Sequence, residues 1–379
     1  MASKVAIVAV AQIKHDDCLG ENIREISYEV SKDILNQVGM KREELGTIIS
    51  SSSDFWEGIS CSNSVYYEAI GANLKDSSKA AEDGASGFVY AVMRIMSGHF
   101  DNALVHAVTK SSEIPSLSAL TNLYADPFFQ RPVCLEDIST AAMQAMLYMN
   151  KYKITEEQAA KVVVKNLGNA LNNPYAHKRG KIGVEEVLKS DVMAYPIKAL
   201  DVATYSDGIC AMLLASEERA KKMTDNPVWV KGMSWGVDHQ FLGDRDLLNG
   251  KLKGVAKKAY DMAGITRPVE EIDAAEICEP YSFQELLWYE QLGFCGDGEG
   301  GKLIDSGTTA MGGRLPVNPS GGVLAHNPYV ARGLIRIAEA ALQVMGKAEK
   351  RQVPDVKTAL AHSTHGFAGQ HHSVIILGK

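Results

Sequence analysis

The sequence predicts an α/β fold with mostly parallel strands, and three observations carry that prediction. Short apolar runs rich in Val, Ile and Ala recur along the chain, from "KVAIVAV" near the start to "HSVIIL" near the end. Amphipathic stretches of helical period separate them. The order of runs and stretches also looks duplicated. Continuous apolar runs suit strands covered on both faces. Strand–helix alternation is the signature of layered α/β architecture.

Strands are predicted over 4–10, 46–50, 102–109, 209–216, 228–237, 272–278, 358–364 and 371–377. Helices are predicted over 21–38, 62–72, 84–98, 138–151, 156–171, 249–264, 282–292 and 329–346. The first round of this order closes with the strand "ICAMLLAS". The second opens at "VWVKGMSWGV" and closes with "TALAHST" and "HSVIIL". Between them "ERAKKMTDNP", residues 218–227, is charged and ends in proline. This gives two units, 1–222 and 223–379. The strand signal fades at about 110–200, which reads as an insertion in the first unit that covers something.

Composition narrows the function. A chain of 379 residues with 46% hydrophobic content is ample for a large core. A formal net charge of −7 argues against a non-specific grip on nucleic acid or acidic lipid. The six cysteines form no C-x-x-C pair, so no zinc-ribbon or dithiol motif is visible and no metal site is expected in this chain. A reduced, cytoplasmic location is expected. No secretory leader and no membrane span is expected, since no run approaches the roughly 20 apolar residues a span needs. The absence of Walker and G-x-G-x-x-G motifs argues against a nucleotide cofactor.

The most informative stretch is "AEDGASGFVYAV", residues 81–92. Glu82 and Asp83 precede Gly84, Ala85, Ser86 and Gly87, and an apolar helix follows. Asp83 can cap that helix. The small residues let a ligand or another backbone approach its donor-rich first turn. Tight helix packing would explain the same turn. Three more junctions of this kind follow: "EICEPYSFQELLWYEQLG" at 276–293, "NPSGGVLAHNP" at 318–328 and "ALAHSTHGFAGQHH" at 359–372.

Four such turns in this order resemble the thiolase superfamily, as do "NALNNPYAHKRGKIGVEEVLKSDVMAYPIKALD" and "YSDGICAMLLASEE". The resemblance covers nearly the whole chain and is nearest to the branch related to sterol carrier protein 2. It implies two similar βαβαβαββ halves stacked in five layers, αβαβα, with an inserted loop domain. It implies an acyltransferase that cleaves or forms a C–C bond by thiolysis of a 3-oxoacyl-CoA, 2-benzoylsuccinyl-CoA being one candidate. Coenzyme A would be a substrate, with no permanently bound cofactor. The implied assembly is a homodimer core joined by a small zinc-ribbon/OB-fold protein, making a heterotetramer in which any zinc belongs to that partner.

The sequence also departs from the family pattern. The position of the nucleophilic cysteine is Gly84, and glycine cannot be acylated. The third turn reads Cys278-Glu279-Pro280-Tyr281. The G-H-P turn reads His326-Asn327-Pro328, so Asn327 falls on the histidine position. The last turn holds His362 and His365. Three readings stay open. The chain is a thiolase by a modified route, with Cys278 as substitute or coenzyme A attacking directly. Alternatively it is a cysteine-less retro-aldolase on a 3-hydroxyacyl-CoA, with Tyr281 and Tyr329 as acid and base. The last is a subunit without catalysis.

The catalytic candidates are therefore Cys278, Tyr281, His326, Asn327, His362 and His365. Gly84, Ser86, Asn318, Ser320, Gly321 and Gly322 are candidates for holding the thioester, with Gly84 making room for a bulky acyl group. Lys178 and Arg179, with Lys165, Asn169 and Lys181 nearby, are candidates for the coenzyme A phosphates. Each has an ordinary counterpart: a buried apolar thiol, a histidine bonded within its turn, a solvated lysine. Met, Trp and Tyr around 120–150 and 281–289 would suit a bulky acyl group.

Overall fold

The computed structural model describes residues 4–81 and 83–379. Among them the strands are β1 (Val5–Gln12), β2 (Thr47–Ser52), β3 (Asp76–Ala81), β4 (Asn102–Thr109), β5 (Val192–Ala194), β6 (Ile197–Lys198), β7 (Gly208–Ser216), β8 (Val228–Val237), β9 (Ala274–Glu276), β10 (Thr358–His365) and β11 (His371–Gly378). Nine form one sheet in the order β3-β2-β4-β7-β1-β8-β11-β10-β9, and β5 and β6 form a separate ribbon. The junction is short: β1 meets β8 through Ala6↔Trp229 and Ile7↔Val228. Outward from it the strands run 1-7-4-2-3 on one side and 8-11-10-9 on the other.

The expectation of mostly parallel strands is corrected. Only β2 with β3, β2 with β4, and β9 with β10 pair in parallel. The reason is connectivity. The short turn between β10 and β11 permits only an antiparallel pair, and β7 returns beside β4 in the reverse direction after the long 110–207 excursion. β3 was not anticipated. Its sequence, DSSKAA, is a half-exposed edge without an apolar run.

Burial sorts the helices into layers. Helices Gly84–Met96 and Arg332–Met345 share one cluster with inward residues from both halves of the sheet, among them Phe88, Val92, Val105, Leu334, Ile337 and Ile375. Helix Ile23–Gln37 covers the opposite face of the first strands with Ile26, Val30 and Ile34. Helices Leu252–Ala263 and Ser282–Gln291 cover the other outer face with Val255, Leu286 and Trp288 against Leu360, Val374 and Ile376. The result is helix, sheet, helices, sheet, helices. The central helix Arg332–Met345 and the Ser282–Gln291 helix are buried almost all round, as such positions require.

The helix predicted at 62–72 is replaced by a 3-10 turn at Ser62–Val65 followed by irregular turns. Ser62 donates its hydroxyl to Ser52 and Asp54 instead of supporting a helix, and Gly71 adopts φ 81°. No helix among the described residues is long and apolar enough to cross a membrane.

Buried histidines make the fold sensitive to acid. His106, on β4, is fully buried against the Tyr66 ring, and neither ring nitrogen has a hydrogen-bond partner. Desolvation lowers its pKa to about 3. The unfolded chain therefore binds a proton near pH 6.5 that the folded chain refuses, so this residue costs stability progressively below pH 6.5. Replacing it by leucine should raise stability relative to wild type by ~2 kcal/mol more at pH 5 than at pH 7. Urea titrations at the two pH values measure the difference.

Candidate active site

The tyrosine cluster is built by four segments. Tyr281 precedes the Ser282–Gln291 helix, and the loop before β7 supplies Tyr205. Tyr329 and Asn327 stand just before the Arg332–Met345 helix, and Asp137 opens the Asp137–Tyr152 helix. Two isolated bridges lock them together: Val202 pairs with Tyr281, and Tyr205 pairs with Asn327. The Ala203 amide donates to Pro280 O at 2.8 Å, and Asn327 Nδ2 donates to Ala203 O at 3.0 Å. A cavity of about 60 Å³ remains among Leu117, Thr121, Asp137, Tyr205, Tyr281 and Asn327. Leu117 and Thr121 belong to the excursion after β4, so part of that insertion does cover a polar site.

Asp137 is free for this site because Glu136 caps its helix, accepting from the Ile138 and Ser139 amides. Tyr205 donates its hydroxyl to Asp137 Oδ2 at 2.9 Å. Burial raises the Asp137 pKa, and Arg332 and the Tyr205 hydrogen bond offset this only in part. Burial and then the Asp137 carboxylate push the Tyr205 phenol far above its ordinary range. Burial followed by Asp137 and Glu136 does the same to Tyr281. At neutral pH these phenols are hydrogen-bond donors, and the carboxylate is a base of raised affinity for protons.

Behind Asn327 lies Arg332, which is 3% exposed. It donates to Thr364 O at 2.9 Å and to Asn327 Oδ1 at 3.4 Å, and its guanidinium stacks 4.5 Å from the Tyr329 ring centroid. Tyr329 in turn stacks on Trp56 at 4.0 Å. Cys278 is fully buried with Sγ 3.6 Å from Thr364 O. Burial pushes its thiol up to about 11, with Arg332 pulling the other way, so it is a thiol at neutral pH.

The other predicted residues sit around this cluster in distinct settings. Gly84 is buried, and a Cβ there would stand 2.6 Å from Leu334 Cβ and 3.1 Å from Ala107 Cβ. Its amide donates to Val330 O at 2.8 Å. The space beside Gly84 is thus taken by the Arg332–Met345 helix. Asp83 caps through the Ala85 amide at 3.1 Å, accepts from Ser363 Oγ at 2.8 Å and has His365 Nδ1 at 3.6 Å. Burial raises its pKa, but His365 and these donors outweigh that and hold it low. Glu82 lies outside the described residues. Ser86, in the first turn of the helix, is half-buried.

His362 is buried with Nε2 3.0 Å from His372 Nδ1, beside Trp288, and burial lowers its pKa to about 3. His326 contacts Arg336, and burial and then that cation hold it neutral. Ser320 donates to Glu276 at 2.7 Å, Asn318 donates to Glu285 at 2.8 Å, and Gly321 leaves no room beside Ala170 and Ala325. Gly322 packs on Glu279. These residues belong to a buried polar network with Lys165, 2.9 Å from Glu285, and with Asn169, which donates to Asn318 O. Lys178 donates to Thr204 Oγ1 at 2.6 Å, Arg179 is exposed, and so is Lys181.

Three members of the cluster were not singled out from the sequence. Asp137 is preceded by Glu136 and reads as part of a helix start. Tyr205 lies in the quoted "YSDG" stretch without a chemical cue. Arg332 sits within an apolar helix, and a charge at a position of apolar periodicity was the signal available.

Residues 235–379 match the family described as thiolase C-terminal domain-like. The acetyl-CoA acetyltransferase of Methanothermobacter thermautotrophicus is 30% identical over 373 residues, 96% of this chain and 97% of that one. Sterol carrier protein 2 of Oryctolagus cuniculus is 33% identical over 255 residues, 65% of this chain but 45% of that one. The benzoylsuccinyl-CoA thiolase subunit BbsB of Thauera aromatica is 34% identical over 229 residues, 59% of each chain. Among solved structures, the Ltp2–ChsH2(DUF35) aldolase superposes with a TM-score of 0.84 at 23% identity, covering 99% of this chain and 97% of that one, which speaks to the fold. The chain belongs to the thiolase superfamily, in its sterol-carrier-protein-2-like branch, and is an enzyme of the thiolase acyltransferase type.

Proposed function

We propose that this chain cleaves or forms the Cα–Cβ bond of a 3-oxoacyl-CoA by thiolysis without an acyl-cysteine intermediate. The observation that carries the reading is the Tyr205–Asp137 pair beside Tyr281 and Asn327 around one small cavity. Gly84, with Leu334 against it, leaves no nucleophile at the family position. In the cleavage direction, Asp137 takes the proton of the incoming coenzyme A thiol, directly or through Tyr205. The thiolate adds to the 3-keto carbon. As the Cα–Cβ bond breaks, its electron pair becomes the thioester enolate, and the neutral Tyr281 phenol donates a hydrogen bond to the enolate oxygen. Return of the proton that Asp137 took from the thiol to Cα releases the second thioester and restores the base.

A separate groove of about 670 Å³, lined by Met143, Met146, Leu147, Leu242 and Leu247, lies farther along the helix that begins with Asp137, and its apolar lining suits an acyl or pantetheine portion. The family relationship supports coenzyme A thioesters as substrates, with 2-benzoylsuccinyl-CoA retained as one candidate. A relative named as a subunit and a structural neighbour solved with a DUF35 component support a small partner protein, which would hold any zinc. A homodimer core in the cytoplasm, with the two halves meeting near residue 222, completes the reading.

A second reading is favoured by one feature: the cluster offers a carboxylate and phenols but no thiolate. Those groups suffice for retro-aldol cleavage of a 3-hydroxyacyl-CoA, in which the base removes the hydroxyl proton and a ketone or aldehyde leaves. One assay separates the two. The chain, with and without a small zinc-ribbon/OB-fold protein of the proposed kind, is given a 3-oxoacyl-CoA plus coenzyme A, or a 3-hydroxyacyl-CoA alone. Loss of the 3-oxoacyl thioester that depends on coenzyme A supports thiolysis. Cleavage of the hydroxy compound alone moves the assignment to the aldolase, and inertness toward both overturns each.

A further inference from the structure

We infer that Arg332 is a carboxylate receptor, so that the acyl group handled here carries a free carboxylate. This rests on the reading of the tyrosine cavity as the acyl-CoA site. A buried guanidinium is a permanent charge and is costly unless paired. Among the described residues no carboxylate lies within ion-pair distance of it. Its bonded acceptors are neutral, the Thr364 carbonyl and the Asn327 amide, and the Tyr329 ring stacks on its guanidinium. Asp137 acts on it from farther away and already accepts from Tyr205.

The fold treats its other buried arginines differently. Arg336 pairs with Glu276 at 2.6 Å, and Arg351 pairs with Glu339 at 2.7 Å. Arg332 alone of the three has no such partner. The contact to Asn327, at 3.4 Å, is the longer of these two hydrogen bonds, and Asn327 also lines the cavity. A carboxylate entering there could displace that amide and meet the planar fork on two donors. A transient enolate is a poorer explanation. Neutral phenols suffice for a charge that exists only during the reaction, whereas a fixed buried cation calls for a fixed anion.

Calorimetric binding to the full chain tests this with succinyl-CoA and butyryl-CoA, which share a four-carbon acyl chain and differ by the terminal carboxylate. Wild type should bind succinyl-CoA about tenfold or more tightly. Arg332→Gln should erase that gap, read as the ratio of the two affinities within the same protein. Arg332→Lys, which keeps the charge but not the fork, should shrink the gap and serves if the glutamine variant does not fold. Equal wild-type affinities, or a gap undiminished in the folded variants, overturns the inference. Turnover distinguishes the two levels. Cleavage of neutral 3-oxoacyl-CoA with no binding gap removes the carboxylate receptor and keeps the activity. A gap without cleavage of any substrate keeps the receptor and removes the activity.

Discussion

Asp137→Asn lowers kcat by about 10²–10⁴ with little change in thermal stability, the range expected when a positioned base is lost. The helix start survives because Glu136 supplies the cap. The Tyr205 hydroxyl keeps an acceptor in the asparagine carbonyl, so the cavity wall stays in place while the base is gone. The pH–rate profile carries a second signature. Burial raises the Asp137 pKa, so the wild-type rate should fall toward low pH, as protonation consumes the base, from a pH above the usual carboxylate range. That limb should vanish in the variant. Purified proteins assayed at saturating substrate from pH 4 to 8 supply both readouts. A variant with undiminished kcat removes Asp137 from the chemistry.

Gly84→Cys, which restores the family's nucleophile, should destabilise the protein by ~3 kcal/mol and should not create a thiolase of the ordinary kind. The added Cβ would stand 2.6 Å from Leu334 Cβ and 3.1 Å from the Leu334 backbone nitrogen, and neither is the tip of a flexible side chain. The penalty must be met by shifting the central helix pair. At about 2.1 cal/mol/K per residue of unfolding entropy, that loss corresponds to a Tm lower by about 4 °C. Ser86→Ala, two residues along on a half-buried position, should stay within about 0.5 kcal/mol. Calorimetry of the two variants side by side tests the contrast. Unchanged Tm in Gly84→Cys would mean that the space beside residue 84 is open to a ligand after all.

Much of the fold was legible because it is written in apolar runs. β1, β4, β7, β10 and β11 are all buried along most of their length; β1, β7 and β11 carry continuous apolar runs, and β4 and β10 carry shorter ones. The edge strand β3 had none, because an edge with one open side can be built from Asp, Ser and Lys. Strand direction was not legible either, since parallel and antiparallel neighbours buried on both faces look alike in sequence. At the site, the turns carrying Tyr281 and Asn327 were found from the order of four glycine-rich or strand-to-helix junctions, and the structure places both on one cavity. Asp137 and Tyr205 escaped because their roles arise from a contact between residues 68 positions apart. Conversely, Ser320 and Asn318 look like ligand-binding residues in a glycine-rich turn, yet their polar atoms are committed to Glu276 and Glu285. Only coordinates reveal that commitment.

The central claim is that carbon–carbon cleavage proceeds here without an acylated cysteine, and intact-protein mass spectrometry during turnover tests it most directly. The chain is mixed with a 3-oxoacyl-CoA and coenzyme A, quenched in acid within the first turnovers and weighed. Product thioesters accumulating over a chain of unmodified mass is the predicted result. An added acyl mass that maps to Cys278, or to any other cysteine, and that forms and decays at the rate of turnover would contradict it.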